Sequence, residues 1–325
     1  MTAFLANPDS LRRMHPFPSL HHRITHTADA TQAVSIGNFD GVHRGHQALL
    51  RTLQESGLPT AVLTFEPLPR EFFRGTDAPP RLSSLREKVV ALLQNKVQNI
   101  TCLPFNQALA NLSAEDFITQ ILVKRLRCGL LSVGHDFRFG AGRRGDLDML
   151  RRFGREYGFL VKEQPPFLLD GERVSSTGIR VFLQAGKLSQ AAAWLGRPYA
   201  LCGRVVHGDH LGQELGFPTA NIPLNRRPVP VKGIFAGRLL SPQGNWVAAI
   251  SIGLRPTVGG KQMVLEAHCL DADSPDLYGQ QVSVELHHKL RDEEKYTDLD
   301  TLKAAIDNDV VNTRNFFAEH PQDPE

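Results

Sequence analysis

The stretch that decides the fold is Ser35-Ile36-Gly37-Asn38-Phe39-Asp40-Gly41-Val42-His43-Arg44-Gly45-His46. The apolar, β-branched run before and into it (Ala33, Val34, Ile36) predicts a strand over 33–39. The Gly/Asn/Asp cluster predicts a tight turn, and the residues from Arg44 onward a helix. His43 and His46 are three apart, so at a helix start they project from one face. Backbone N–H groups without helical partners and the positive end of the helix dipole lie beside them. An anion, most simply a phosphate, is expected there, bordered by Gly37, Asn38, Phe39, Asp40 and Gly45. Two solvent-exposed histidines after an ordinary turn are the plainer alternative.

Outward from this stretch, strand-like and helix-like segments alternate. Strands are predicted at Thr60 to Phe65, Ile100 to Phe105, Leu130 to Gly134 and Phe159 to Glu163. Helices are predicted at 44–56, 84–97, 114–127 and 146–157. Short apolar strands alternating with helices imply a parallel sheet covered on both faces, a doubly wound, Rossmann-like α/β domain. Its ligand belongs at the carboxyl ends of the strands, where His43 and His46 follow the first. Helices at Thr177 to Ala185 and Leu188 to Leu195 close this half. After Gly196-Arg197-Pro198 the pattern changes to short strands with frequent Gly and Pro: Tyr199 to Val206, Ile234 to Leu240, Trp246 to Ile252, Val264 to Leu270 and Val282 to Leu290. These predict an antiparallel barrel. A last helix, Leu299 to Phe317, carries Leu302, Ile306, Val310 and Phe317 at helical spacing and should pack on it. The expected organisation is a lead over residues 1–30, an α/β domain over 31–185 and a barrel domain over 186–325.

The 325 residues suit about two domains. Apolar content of 41% and charged content of 22% are ordinary for a globular chain. A net charge of +3 does not demand nucleic acid and suits anionic small ligands as well. No apolar run is long enough to span a membrane, and the histidine-rich lead has no apolar segment of a signal peptide. Cys102, Cys128, Cys202 and Cys269 fall in or beside apolar runs, without metal-ligand spacing. They are expected to be buried thiols of a reducing, cytoplasmic compartment.

Further segments carry possible chemistry. Thr64 to Arg70 follows the second strand, its prolines predicting an extended exit. Gly134 to Gly140 follows the fourth, and Asp136 there can accept hydrogen bonds from a heterocycle edge or a ribose. Ser175-Ser176-Thr177 opens a helix; its hydroxyls can cap that helix or, with Arg173 and Arg180, cradle a second phosphate. The glycine-rich segment Gly203 to Asn221 lacks the Gly-Lys-Ser/Thr ending of a Walker A loop. Its glycines, Gly216 among them, still allow backbone N–H groups to approach a phosphate. Thr219 and Asn221, two apart in an extended segment, offer oxygens on one side, which suits Mg²⁺. Glu266 interrupts an apolar strand. A carboxylate there faces solvent or a site, and at a site it can serve as general base toward a hydroxyl.

The His-x-Gly-His spacing resembles that of nucleotidyltransferases. Taken together, Gly37 to His46, Thr64 to Arg70, Gly134 to Gly140, Ser175 to Arg180, Leu195 to Tyr199, Gly216 to Asn221, Gly253 to Thr257, Leu265 to His268 and Leu290 to Lys295 resemble the prokaryotic bifunctional riboflavin kinase/FMN adenylyltransferase family, in that family's order. The resemblance implies a Rossmann-like nucleotidyltransferase domain followed by a mostly antiparallel riboflavin kinase barrel with a C-terminal helix. It implies two reactions. The barrel would phosphorylate riboflavin to FMN with ATP; the α/β domain would adenylylate FMN to FAD with a second ATP and release pyrophosphate. By the same resemblance, His43 and His46 hold ATP phosphates and stabilise developing charge. Asp136 and Arg173 match flavin-associated positions, and Ser176 and Thr177 nucleotide-associated ones. Thr219 and Asn221 match the Mg-ATP pair, and Glu266 the kinase base. Flavins would be substrate and product, with no nucleic acid or membrane partner; homo-oligomerisation is left open. The chain departs from the family pattern at His135, more often acidic or aromatic, and at Gly178, where an arginine is frequent. Three other readings are a monofunctional kinase, a flavin- or RNA-binding relic, and a simpler adenylyltransferase. His43, His46, Thr219, Asn221 and Glu266 weigh against the first two, and the attached barrel with Pro218-Thr219-Ala220-Asn221 against the third.

Overall fold

The computed structural model describes residue 28 and residues 30–208, 216–224, 229–257, 260–270 and 276–321. Residues 1–27 of the expected lead lie outside the described residues. The described residues form two compact units, one holding those before 80 together with 83–176, the other 80–82 together with those from 177 onward.

In the first unit, strands β1 (Gln32–Ile36), β2 (Thr60–Glu66), β3 (Asn99–Pro104), β4 (Cys128–Gly134) and β5 (Leu160–Gln164) form one sheet in the order β3-β2-β1-β4-β5. All four pairings are parallel. Alternation along β1 sends Ala33 to one face and Val34 and Ile36 to the other. Ala33 packs with Val62, Leu50, Leu53 and Leu92, which brings α1 (Arg44–Gln54) and α3 (Leu85–Gln94) to that side. Val34 and Ile36 join Leu63, Leu131, Ile118, Leu122 and Leu150. These are covered by α4 (Phe117–Arg125) and α5 (Leu147–Tyr157). With both faces covered, the strands need continuous apolar runs, the pattern the sequence shows. β1 pairs with β2 on one side and β4 on the other. The order of strands therefore reverses at β1, and its carboxyl end opens the crevice of the sheet.

Several expectations are corrected. β1 stops at Ile36 rather than 39, because Phe39, Gly41 and Val42 turn with φ of 47°, 85° and 43°. The exit from β2 is not extended but a short helix, α2 (Pro69–Arg74). Proline at its first position fits a helix start, and Glu71 Oε2 accepts the Leu68 N–H at 3.0 Å. α4 follows a single α-turn capped by Ser113. It winds with wide turns, in which the Leu126 N–H reaches the Ile121 carbonyl. A two-residue hairpin, β6 (Leu168–Leu169) with β7 (Glu172–Arg173), turns on Asp170-Gly171, both at positive φ.

In the second unit, α6 (Ser176–Gln184) and α7 (Leu188–Leu195) precede the strands. Gly178 is accounted for here. A Cβ at that position would stand 2.4 Å from the Trp194 ring, so the indole of α7 occupies the space a longer residue would take. Strands β8 (Tyr199–Arg204), β9 (Ala220–Pro223), β10 (Gly233–Ser241), β11 (Gly244–Thr257), β12 (Gly260–Cys269) and β13 (Gln281–Arg291) form an antiparallel sheet in the order β8-β13-β10-β11-β12-β9. The sheet curls until its edges meet, and the Val206 N–H donates to the Asn221 carbonyl at 2.9 Å. Leu201, Ile222, Phe235, Ile250, Ile252, Leu265 and Val284 fill the interior. α8 (Leu299–Glu319) packs against β10, β11 and β13. Leu302, Ile306, Val310 and Phe317 are half-buried there; the fully buried positions are polar, Asp309 and Thr313. Arg291 grips Asp309 through Nε–Oδ1 at 2.9 Å and Nη2–Oδ2 at 2.6 Å.

That bidentate pair generates a prediction. Asp309→Ala should destabilise the barrel by about 3 kcal/mol, since it leaves the guanidinium without its carboxylate. Arg291→Met with Asp309→Leu should recover most of the loss, read from thermal unfolding of the three proteins. Equal loss in the single and double variants would show that the pair does not anchor α8.

Candidate functional sites

The first site is the loop from Gly37 to His43 and the start of α1. Its shape is imposed from below. Asp40 is buried, and its Oδ1 accepts the Ser83 N–H at 3.0 Å and the Ser83 hydroxyl at 3.3 Å. Ser83 Oγ in turn accepts the Gly41 N–H at 3.0 Å. The Ser176 hydroxyl donates to the Asp40 carbonyl at 2.9 Å. Thr64 Oγ1 donates to the Asn38 carbonyl at 3.4 Å, and the Gly37 N–H to the Leu63 carbonyl at 3.1 Å. Phe39 is fully buried and serves as the floor, its ring 5.0 Å from that of His46.

On this floor His43 occupies the N-cap position of α1 and makes no side-chain cap hydrogen bond. The His43 and His46 rings stack, centroids 3.8 Å apart and 21° from parallel. The one-face geometry expected from their spacing is present. A Cβ at Gly45 would come within 3.1 Å of the His43 ring and 3.6 Å of the Val174 carbonyl, so the glycine leaves room for that imidazole. Burial holds the His46 basicity well below the ordinary histidine range, and the charges of His43 and Lys88 push it the same way. Stacked imidazoles resist double protonation unless an anion joins them. N–H groups at a helix start beside two imidazoles are the kind of arrangement that attracts anions.

Other predicted residues divide. Asp136 and Arg173 form an ion pair at 2.7 Å, both exposed, and the Arg173 hydrogen bond holds the Asp136 carboxyl below the usual range. Ser176 belongs with the loop through Asp40. Thr177 is exposed and starts the second unit. Arg180, buried in that unit, donates Nε–H to the Pro80 carbonyl at 2.6 Å. Sequence reading missed Lys88 and Ser83. Lys88 looks like a surface lysine within Leu85-Arg86-Glu87-Lys88, and Ser83 like a spare cap residue ahead of Ser84.

The second site lies on the barrel. β12 sets Glu266 opposite Asn221 of β9 and opposite Ser251 of β11. Leu265 and Ala267, on either side of Glu266, point into the core and are fully buried. Ser251, Glu266 and Asn221 therefore form a row across three strands on the other face. The outward alternation expected of Glu266 is present. Asn221 Nδ2 donates to the Thr219 carbonyl at 3.2 Å and to Thr219 Oγ1 at 3.4 Å. Gly208 lies directly against the Asn221 amide; a Cβ there would stand 2.3 Å from Nδ2. His268 Nδ1 is 2.9 Å from the Pro218 carbonyl, and its ring meets Phe217 edge to face at 5.4 Å. Gly216 turns at φ 89°. Residues 209–215 of the glycine-rich segment lie outside the described residues.

A stacked imidazole pair at the switch point of a parallel sheet and an oxygen-bearing row on a curled antiparallel sheet suit a two-domain, nucleotide-handling transferase. Family models described as FAD synthetase and riboflavin kinase match residues 25–178 and 195–317, respectively. The chain is 46% identical over 301 residues to the bifunctional riboflavin kinase/FMN adenylyltransferase of Escherichia coli (strain K12), covering 91% of this chain and 96% of that one. It is 44% identical over 290 residues to the Haemophilus influenzae protein of the same name, with coverage of 88% and 94%. A crystal structure described as a macrolide-efflux protein from Streptococcus pneumoniae shares the fold, with TM-score 0.77, 28% identity and coverage of 89% and 96%. Among the described residues no helix is long and apolar enough to cross a membrane. The chain belongs to the bifunctional riboflavin kinase/FMN adenylyltransferase family.

The depressed basicity of His46 has a consequence for stability. The unfolded chain takes up this proton as pH falls through about 6.5, whereas the folded chain takes it up only at lower pH. The stability contribution is therefore complete above about pH 6.5 and is lost as pH falls from there toward the folded value. His46→Gln should flatten that acid-side loss in the α/β unit, measured by urea unfolding at about pH 7.5 and about pH 5.5. An identical acid slope in both proteins would mean that His46 titrates normally when folded.

Proposed function

We propose that the two steps of flavin cofactor synthesis divide between the two sites. The barrel transfers the γ-phosphoryl group of ATP to the terminal ribityl hydroxyl of riboflavin, giving FMN and ADP. Glu266 takes the hydroxyl proton as the new O–P bond forms and the bond to ADP breaks. The observation that supports this role is the register of β12, which puts Glu266 beside Asn221 on one face. Mg²⁺ suits the neutral oxygens of Thr219 and Asn221, a hard-donor pair that leaves positions for phosphate and water. When bound, it would draw the phosphates of ATP together and offset their charge. Gly208 and Thr219 set the orientation of the Asn221 amide, and positioning of this kind carries much of phosphoryl transfer.

The α/β unit transfers AMP. A phosphate oxygen of FMN attacks the α-phosphorus of a second ATP, and pyrophosphate leaves. The stacked pair His43/His46 at the carboxyl end of β1 is the observation that carries this step. Placed against the phosphates, the imidazoles and the N–H groups of α1 stabilise charge on the α-phosphate and on departing pyrophosphate. Asp136 and Arg173 are placed toward the flavin, Ser176 toward the nucleotide. The cysteines fit a reducing, cytoplasmic setting: Cys102, Cys128 and Cys269 are buried, and burial pushes the Cys128 thiol up to about 12.

Incubation with riboflavin, ATP and Mg²⁺, with chromatographic separation of FMN from FAD over time, tests both halves. His46→Ala should stop FAD formation by about 10²-fold or more while FMN accumulates. Glu266→Gln should slow FMN formation by about 10²-fold or more and leave FAD synthesis from supplied FMN intact. Normal FAD output from His46→Ala would defeat the first assignment; parallel loss of both activities in Glu266→Gln would defeat the second.

A further inference from the structure

α3 carries a lysine whose whole side chain is withdrawn from water. Lys88 is fully buried, and its ammonium donates to Thr64 Oγ1 at 3.3 Å, near the carboxyl end of β2. The same hydroxyl reaches the Asn38 carbonyl. The ammonium thus lies beneath the loop that leads to His43. A cation is costly to bury, and a leucine or methionine would fill the same helix position without that cost. The charges around it define what it is suited to. Through Thr64 the ammonium is tied to the loop that leads to His43 and His46, and its charge weighs on His46.

We infer that Lys88 is a positioning residue of the adenylyl-transfer site, a buried cation pinned by Thr64 that tunes the loop and its paired imidazoles for a polyphosphate. The inference deepens, and rests on, the reading of His43 and His46 as the triphosphate seat. Before the anion arrives, the ammonium discourages protonation of His46 and keeps the stacked rings from repelling each other. With a triphosphate present, its field adds to theirs at short range and in a medium that screens little. The pull should grow with the number of phosphate charges, so ATP and pyrophosphate feel it more than AMP.

The test uses the full chain, with FMN formation at the barrel as internal control of folding. Lys88→Met should raise the KM for ATP in FAD formation by about tenfold or more, with AMP inhibition changed less and FMN formation unchanged. Lys88→Arg should restore most of the loss. In an NMR titration, the His46 ring signal should shift to higher pH in Lys88→Met and stay near its original position in Lys88→Arg. A purely structural lysine would not move it in that pattern. Should Lys88→Met not fold, Thr64→Val keeps the ammonium but removes its anchor and should itself raise the KM for ATP. A wild-type KM for ATP in the folded variants, or an unmoved His46 titration in Lys88→Met, overturns the inference. If His46→Ala still made FAD normally, the triphosphate seat itself would be refuted; an essential His46 with an inert Lys88 would refute this inference alone.

Discussion

The carboxylate of Asp40 and the backbone and hydroxyl of Ser83 hold the α/β site in shape. The loop after β1 must reverse direction using three residues at positive φ, two of them not glycine. Such backbone is unfavourable in isolation, by about 1 kcal/mol or more per residue, and persists where surrounding bonds over-determine it. Asp40, Ser83, Ser176 and Thr64 supply those bonds from four separate stretches of chain. The result is that α1 starts where β1 ends, with His43 and His46 stacked above a buried Phe39. The Asp40–Ser83 clamp adds to the packing of Leu50 and Leu53 on the sheet in fixing where α1 begins.

The barrel solves a different problem with similar economy. It must expose a carboxylate on a strand otherwise devoted to the core. Period-two alternation does this without special loops, because Leu265 and Ala267 go in and Glu266 goes out. Pairing with β9 then brings Asn221 alongside. The row is thus a property of register. A slip of one residue would turn Glu266 inward and replace it with an alanine or a leucine.

Much of this was legible in the sequence because it depends on local periodicity. β-branched runs between helical patterns announced the parallel sheet, and His43 and His46 could be placed on one face by spacing alone. What escaped reading depends on distant partners. Lys88 is spaced like any surface lysine, and its burial follows from the packing of α3 against β2. Pro67 and Pro69 suggested an extended exit, whereas Pro69 with Glu71 starts a helix. α8 was expected to dock through Leu302, Ile306, Val310 and Phe317; its fully buried positions are Asp309 and Thr313, set by an arginine on β13. Gly178 looked like a missing arginine, and the reason for it is the indole of Trp194, sixteen residues away in sequence. Arg180 was grouped with Ser176 by adjacency, yet the boundary between the two compact units runs between them.

Asn221 does two jobs. Its carbonyl takes the hydrogen bond that joins the two edges of the curled sheet, and its amide belongs to the row with Thr219 and Glu266. The seam of the barrel and the proposed seat of the ion are one residue deep. Anything that tightens the amide's surroundings also tightens the seam, so occupancy by a nucleotide complex and resistance of this unit to unzipping are thermodynamically linked. Fraying between β8 and β9 would conversely be felt as weaker ion affinity long before the unit comes apart.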